Sequence, residues 1–169
     1  AVSRVAWLDD KTLLAGQGNQ LQWLSVDAAA PQRSLPFDAQ VMNVAVDSTR
    51  SVAAIVLANG RQITLVDARE GSVTQQLRQR VQEPAAQLAP RRLPHELLVG
   101  YGDRMRVWDL ATGKVSPGFV KVDNAWEFSA HPGADGIAVL QTAGPRGTSA
   151  NEIWLTDKLG ERVQTRALT

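Results

Sequence analysis

Met105-Arg-Val-Trp-Asp109 is one of four short, strand-like segments in this chain that close on an aspartate. The others are Leu21-Gln-Trp-Leu-Ser-Val-Asp27, Gln62-Ile-Thr-Leu-Val-Asp67 and Ile153-Trp-Leu-Thr-Asp157, so the closing aspartates fall 40, 42 and 48 residues apart. A period of that length is the mark of a stack of similar small units. The longest interval contains one polar, glycine-bearing insertion, Thr142-Ala-Gly-Pro-Arg-Gly-Thr-Ser-Ala-Asn151. A glycine follows three of the aspartates, at Gly71, Gly113 and Gly160, where a tight turn would require positive φ. The first unit has Ala28-Ala-Ala-Pro31 at that place and departs from the pattern.

Working outward from these segments, each unit divides into the same parts. An alternating stretch opens it: Val2–Trp7, Val41–Val46, a weaker Pro84–Leu88, and Ala125–Phe128. A polar turn leads to an apolar run: Leu13–Ala15, Val52–Leu57, Leu97–Val99 and Ile137–Leu140. Short runs rich in small or β-branched residues favour buried strands over helices. A second turn follows, with Asn59-Gly60 as the strongest hairpin signal, because both residue types tolerate the left-handed backbone of a type I′ turn. The aspartate-ended segment comes next, and a final extended piece closes the unit. Val73–Gln82 has helix-compatible composition, but its place as the fourth element assigns it to a strand. The expected fold is all-β: four consecutive four-stranded antiparallel meanders at about residues 1–40, 41–82, 83–123 and 124–169.

Met105-Arg-Val-Trp-Asp-Leu-Ala-Thr-Gly-Lys114 resembles the third strand and following turn of a WD repeat. Leu65-Val-Asp67 and Leu155-Thr-Asp157 are similar more loosely, and His131-Pro-Gly-Ala-Asp-Gly136 resembles the turn between the first two strands of such a repeat. Only one unit carries the Trp-Asp dipeptide, here Trp108-Asp109, and the Gly-His pair expected before each repeat is missing throughout. The resemblance implies β-propeller blades, with Asp27, Asp67, Asp109 and Asp157 as repeat-defining positions. WD-type blades normally close into rings of about seven, so four imply either a tight small ring or an open arc. We expect the arc, completed by further blades or by a second copy. The chain opens without a methionine and ends after a fourth strand, as a cut at blade boundaries would give.

Composition narrows the function. With 44% hydrophobic and 21% charged residues, the chain reads as globular, and a net charge of +1 gives no electrostatic case for nucleic acid. The nearest basic cluster, Arg78, Arg80, Arg91 and Arg92, is diluted by Glu83 and Glu96 and reads as solvated strand ends. No cysteine is present, and no apolar run approaches the roughly 20 residues of a membrane helix, so no insertion by this segment is expected.

Candidates for chemistry are sparse. His95 and His131 fall in turns of adjacent units, too far apart on that reading to share a metal. Asp9 and Asp10 read as a solvated turn rather than an acid/base pair. The five tryptophans, Trp7, Trp23, Trp108, Trp126 and Trp154, fall on expected strands, where most should pack between blades. The insertion loop, with Pro145, Arg146, Thr148 and Ser149, is the best candidate for binding, since loops on rigid scaffolds often carry it. No catalytic residue, cofactor or metal site is assigned. The expected role is a non-catalytic interaction or sensory module that contacts other proteins or the rest of its own polypeptide, with self-association as a further outcome. An extracytoplasmic part of a bacterial membrane protein, such as a transporter subunit, is favoured over a cytosolic WD-repeat scaffold. The remaining alternative is a cofactor-binding or enzymatic propeller of the quinoprotein or lyase kind.

Overall fold

Five consecutive buried residues, Ala53-Ala-Ile-Val-Leu57, set the problem that the fold solves. A strand exposes alternate side chains on opposite faces, so a run buried without interruption needs cover on both sides. The computed structural model provides a succession of small antiparallel sheets. It describes residues 2–47, 50–58, 62–78, 87–90, 96–101, 104–110, 112–115, 120–121, 125–130, 137–143, 150–156 and 162–168. Every element among them is a strand or a turn; no helix occurs among the described residues.

The first sheet contains β1 (Val2–Trp7), β2 (Thr12–Gln17), β3 (Gln20–Ser25) and β4 (Arg33–Pro36), in that order. The second contains β5 (Val41–Asp47), β6 (Val52–Leu57), β7 (Gln62–Asp67) and β8 (Ser72–Arg78). The third is built from β9 (Gln87–Pro90), β10 (Glu96–Tyr101) and β11 (Arg104–Asp109), with two short strands, β12 (Lys114–Val115) and β13 (Val120–Lys121), both paired to β11. The fourth contains β14 (Ala125–Ala130), β15 (Ile137–Ala143), β16 (Ala150–Thr156) and β17 (Arg162–Leu168). All pairings whose register is described are antiparallel, and sequence neighbours are spatial neighbours, as tight turns demand.

Two details differ from the sequence expectation. The first strand of the third sheet is β9 at Gln87–Pro90, later than Pro84–Leu88. The fourth element of that sheet is divided between β12 and β13; the sequence between them includes Pro117, which has no amide hydrogen to offer a ladder. The Ser72–Arg78 segment is a strand despite its helix-compatible composition, because pairing with β7 overrides local propensity.

The chain divides into two compact units, Ala1–Leu88 and Ala89–Thr169. In the first, one face of the first sheet packs on one face of the second. Leu14, Leu21 and Trp23 meet Val44, Ile55 and Val66 in one apolar core. Each such side chain removed from water contributes on the order of 1.5–3 kcal/mol, so this junction contributes strongly to the stability of the unit. Register makes the two sheets superimposable: Val5 pairs with Ala15 and Trp7 with Leu13, as Val44 pairs with Ile55 and Val46 with Ala53. Both also carry a bulge near the start of the first strand, between Val2 and Arg4 and between Val41 and Asn43. In the second unit, Leu97, Leu98 and Val99 are consecutively buried, as are Val107 and Trp108.

The hydroxyl of Thr64 is buried on the face of the second sheet that carries Ile55, its partner in register, and has no hydrogen-bond partner among the described residues. Replacing it by the near-isosteric Thr64→Val removes that desolvated hydroxyl. We expect a gain of about 1 kcal/mol in urea unfolding, and a loss would reveal a hidden partner for the hydroxyl.

Candidate functional site

The strand-end turns are where polar residues gather, and their geometry follows one scheme. At the end of β7, the Asp67 carboxylate Oδ1 accepts the backbone N–H groups of Arg69 and Glu70, both at 2.9 Å. The Gly71 N–H closes the turn on the Asp67 carbonyl at 2.8 Å, with Gly71 at φ +69°. β11 ends the same way: Asp109 Oδ1 accepts from Thr112 at 3.1 Å, and Gly113, at φ +68°, donates to the Asp109 carbonyl at 2.8 Å. The aspartate supplies local acceptors and the glycine the left-handed residue.

In the first sheet the same register position belongs to Ser25 rather than Asp27. Thr12 pairs with Ser25 as Val52 pairs with Asp67 and Glu96 with Asp109. Ser25 Oγ accepts the N–H of Asp27 at 3.1 Å, doing for this turn what the carboxylates do for the others. Asp27 lies two residues further on and forms an exposed ion pair with Lys11 at 3.0 Å, an arrangement that contributes little to stability. In the fourth sheet Ile137 pairs with Thr156 as Ala53 pairs with Val66; the residue after Thr156, Asp157, lies outside the described residues.

Two of the turn carboxylates, Asp67 and Asp9, are held ionised. The N–H groups of Glu70 and then Arg69 keep Asp67 below the usual carboxylate range, and the N–H of Lys11, with the hydrogen bonds of Thr12, does the same for Asp9. Asp9 Oδ1 accepts from Lys11 at 2.9 Å and Thr12 at 2.8 Å. A general acid needs the opposite displacement.

The junction between the first and second sheets has a polar latch. Trp23 is buried on β3 and donates its indole Nε1–H to the Ala68 carbonyl at 2.7 Å. Arg33, directly opposite Trp23 on β4, places its guanidinium 5.6 Å from the indole centroid and donates to the Arg69 carbonyl at 2.6 Å. The arginine stem lies against Gly71, where a Cβ would come within 2.6 Å of Arg33 Cδ. The backbone at φ +69° asks for glycine at this position, and a Cβ there would also make the flexible Arg33 stem shift. At Gly18, in the β2–β3 hairpin, only the backbone asks for glycine: φ is +58° and a Cβ would meet nothing within 4 Å.

The other face of the first sheet is different. Val5 and Trp7 on β1 are 58% and 56% exposed, and Val26 just beyond β3 is 57% exposed. Leu13 and Leu24 are half-buried on the same face. An open recess of about 390 Å³ is lined by Trp7, Leu8, Asp9 and Asp10. Sequence reasoning placed Trp7 among expected packing residues, because burial depends on what stands opposite a face and not on the strand pattern. Trp23 and Trp108 are buried as expected, at register positions one residue apart: Trp108 pairs with Leu97 and Trp23 with Leu14. The side chains of Trp126 and Trp154, the histidines His95 and His131, and the loop residues Pro145, Arg146, Thr148 and Ser149 lie outside the described residues. Among the described residues, no group of three or more His, Asp or Glu side chains is arranged to hold a metal.

With this geometry in view, the comparisons with known proteins concern the fold. No protein-family profile matches the chain, and no curated protein matches it in sequence. Solved structures do. The crystal structure of RRP9 WD40 repeats matches with a TM-score of 0.71 at 13% identity, covering 91% of this chain and 48% of that one. The structure of U3-55K matches at 0.72 and 13% identity, with the same coverage of both chains. Kuenenia stuttgartiensis hydrazine synthase matches at 0.73 and 11% identity, covering 95% of this chain and 47% of that one. The chain thus has a WD-repeat-like β-propeller fold, and it spans about half the length of the structures it resembles.

Trp23→Phe keeps the aromatic body but strands the Ala68 carbonyl in the core, and should cost about 1–3 kcal/mol in urea unfolding. Asp67→Ala should destabilise at neutral pH. A carboxyl whose folded pKa is depressed contributes fully above its unfolded value, here 3.8, and loses that contribution as pH falls through the folded value. The stability gap between wild type and Asp67→Ala should accordingly close below pH 3.8.

Proposed function

We propose that the chain is a non-catalytic interaction or sensory module, the extracytoplasmic part of a larger bacterial membrane protein such as a transporter subunit. The observation that carries the non-catalytic reading is the use made of the described carboxylates. Asp9, Asp67 and Asp109 each spend a side-chain oxygen on the backbone of their own turn. Sheet faces are spent too, since the second sheet is buried on both sides. Turns and insertions are left to vary, and Pro145, Arg146, Thr148 and Ser149 in the 142–151 insertion are our candidate contact residues. The partners we favour are other proteins or further blades and domains of the same polypeptide. The WD40 neighbours support a protein-binding scaffold in general terms.

An enzymatic propeller is the second reading, kept because one structural neighbour is named as a hydrazine synthase. A cytosolic WD-repeat scaffold is disfavoured by the missing Gly-His pairs.

The reading is tested by tagging the protein at its native locus and fractionating the cells. The tag should sediment with membranes and become protease-sensitive once the outer barrier is opened. Recovery in the cytosolic fraction would overturn the placement. Replacing residues 145–149 by a Gly-Ser linker should leave thermal stability unchanged while weakening co-purification of the partner recovered with wild type.

A further inference from the structure

We infer that the exposed face of the first sheet docks a partner sheet whose apolar face carries an arginine at its rim, the guanidinium being received by the turn that follows β3. This surface is distinct from the 142–151 insertion, and the inference holds whether or not that loop binds.

The face has a filled counterpart inside the molecule. Val5 and Trp7 occupy in the first sheet the register positions that Val44 and Val46 occupy in the second. Val26 follows Ser25 as Ala68 follows Asp67. The backbone agrees: Val26 N–H bonds the Lys11 carbonyl at 3.0 Å as Ala68 N–H bonds that of Ser51 at 2.7 Å. Val44 and Ala68 are 5% and 1% exposed because the first sheet covers them, whereas Val5 and Val26 are 58% and 57% exposed. Beyond Val26 the exposed Ala28, Ala29, Ala30 and Pro31 continue the apolar surface. The filled footprint shows what such a face accepts: a sheet with Leu14, Leu21 and Trp23 at its centre and Arg33 at its rim.

Electrostatics selects the rim. In the filled footprint Arg33 donates to the Arg69 carbonyl at 2.6 Å, on a residue whose own side chain is a cation. Asp27 holds the corresponding place in the open footprint: its N–H donates to Ser25 Oγ as that of Arg69 donates to Asp67 Oδ1. A guanidinium arriving there meets a backbone carbonyl and a carboxylate in place of a like charge, and its planar fork suits that pair of acceptors better than an ammonium would. Lys11 engages Asp27 Oδ2 at 3.0 Å, and no donor reaches Oδ1 among the described residues. Asp9 and Asp10, both exposed, stand on the neighbouring turn and line the recess with Trp7 and Leu8. Three carboxylates against Lys11 alone leave these two turns negative. An anionic partner, a lipid surface of that charge included, is repelled by the same rim. The latch face of a second copy does not serve either. Trp23 and Arg33 are already bound to the second sheet, and the register positions matching Trp23 elsewhere hold Leu65, Val107 and Leu155. The occupant is a protein sheet of another origin, with a cation opposite Asp27.

Radical footprinting, which oxidises side chains that water reaches, tests this on the protein isolated from its cells and on the 169-residue chain alone. Trp7, 56% exposed in the chain, should be oxidised several-fold more slowly in the protein from cells, with buried Trp23 as the unchanged reference. Asp27→Arg alters an exposed side chain, so the chain alone should keep its melting profile, while Trp7 in the protein from cells should return to the rate of the chain alone. A tandem chain supplies the arginine-bearing probe: residues 1–39, carrying Trp7→Phe, precede Ala1 and bring a second Trp23 and Arg33. Trp7 of the following copy should be protected there too, Asp27→Arg beside it should remove the protection, and Arg33→Glu in the leading copy should restore it. Equal oxidation of Trp7 in the two wild-type samples, or protection indifferent to Asp27→Arg, would overturn the inference. Protection of the chain alone that grows with its concentration would overturn it as well, by giving the face to a second copy. None of these outcomes alters the result of replacing residues 145–149, so the two surfaces are judged separately.

Discussion

A sheet apolar on both faces cannot be stable alone, and everything else in this structure answers to that constraint. β6 buries Ala53 through Leu57 without a polar interruption, and on β7 Ile63 to Val66 are buried too, with the Thr64 hydroxyl as the one polar side-chain group among them. Cover on one face comes from the first sheet, through a core in which Trp23 is the largest side chain. The indole contributes area and also satisfies a backbone carbonyl that the close approach of the two sheets would otherwise strand. Arg33 extends the same contact outward over the 68–71 turn, and the lack of a side chain at Gly71 gives its stem room to lie flat.

Stacking of this kind has consequences for what the protein can do. Faces are committed to neighbours, so chemistry is confined to turns, edges and whichever face remains open. In the described turns the polar side chains look inward to their own backbone. Asp9, Asp67 and Asp109 act as substitutes for a missing backbone acceptor, and at Asp9 and Asp67 the hydrogen bonds favour the ionised carboxylate. A carboxylate so engaged organises a loop and leaves the loop's other residues to vary.

Part of this was legible in the chain itself. The recurrence of strand, turn, aspartate and glycine identifies four similar units, because turn geometry restricts residue choice locally: Asp67 with Gly71 and Asp109 with Gly113 are readable without knowing what packs above them. The same motif misled in the first unit, where Asp27 catches the eye while Ser25 does the work; a hydroxyl two residues earlier is an ordinary residue in sequence and becomes significant only through its pairing with Thr12. β9 and the divided β12–β13 edge were indistinct for a related reason, since short edge segments carry too few residues to show a pattern. The candidate loop at residues 145–149 lies outside the described residues.

Sequence alone therefore determined the all-β class, the repeat and the chemistry of its turns, all of which depend on interactions within a few residues or on alternation along one strand. It could not determine which apolar faces are covered. Val5 and Val44 are the same residue at the same register position in two similar sheets, yet one is 58% exposed and the other 5%. That difference is made entirely by what lies across the sheet, through contacts between residues far apart in the chain, and only the tertiary structure decides it.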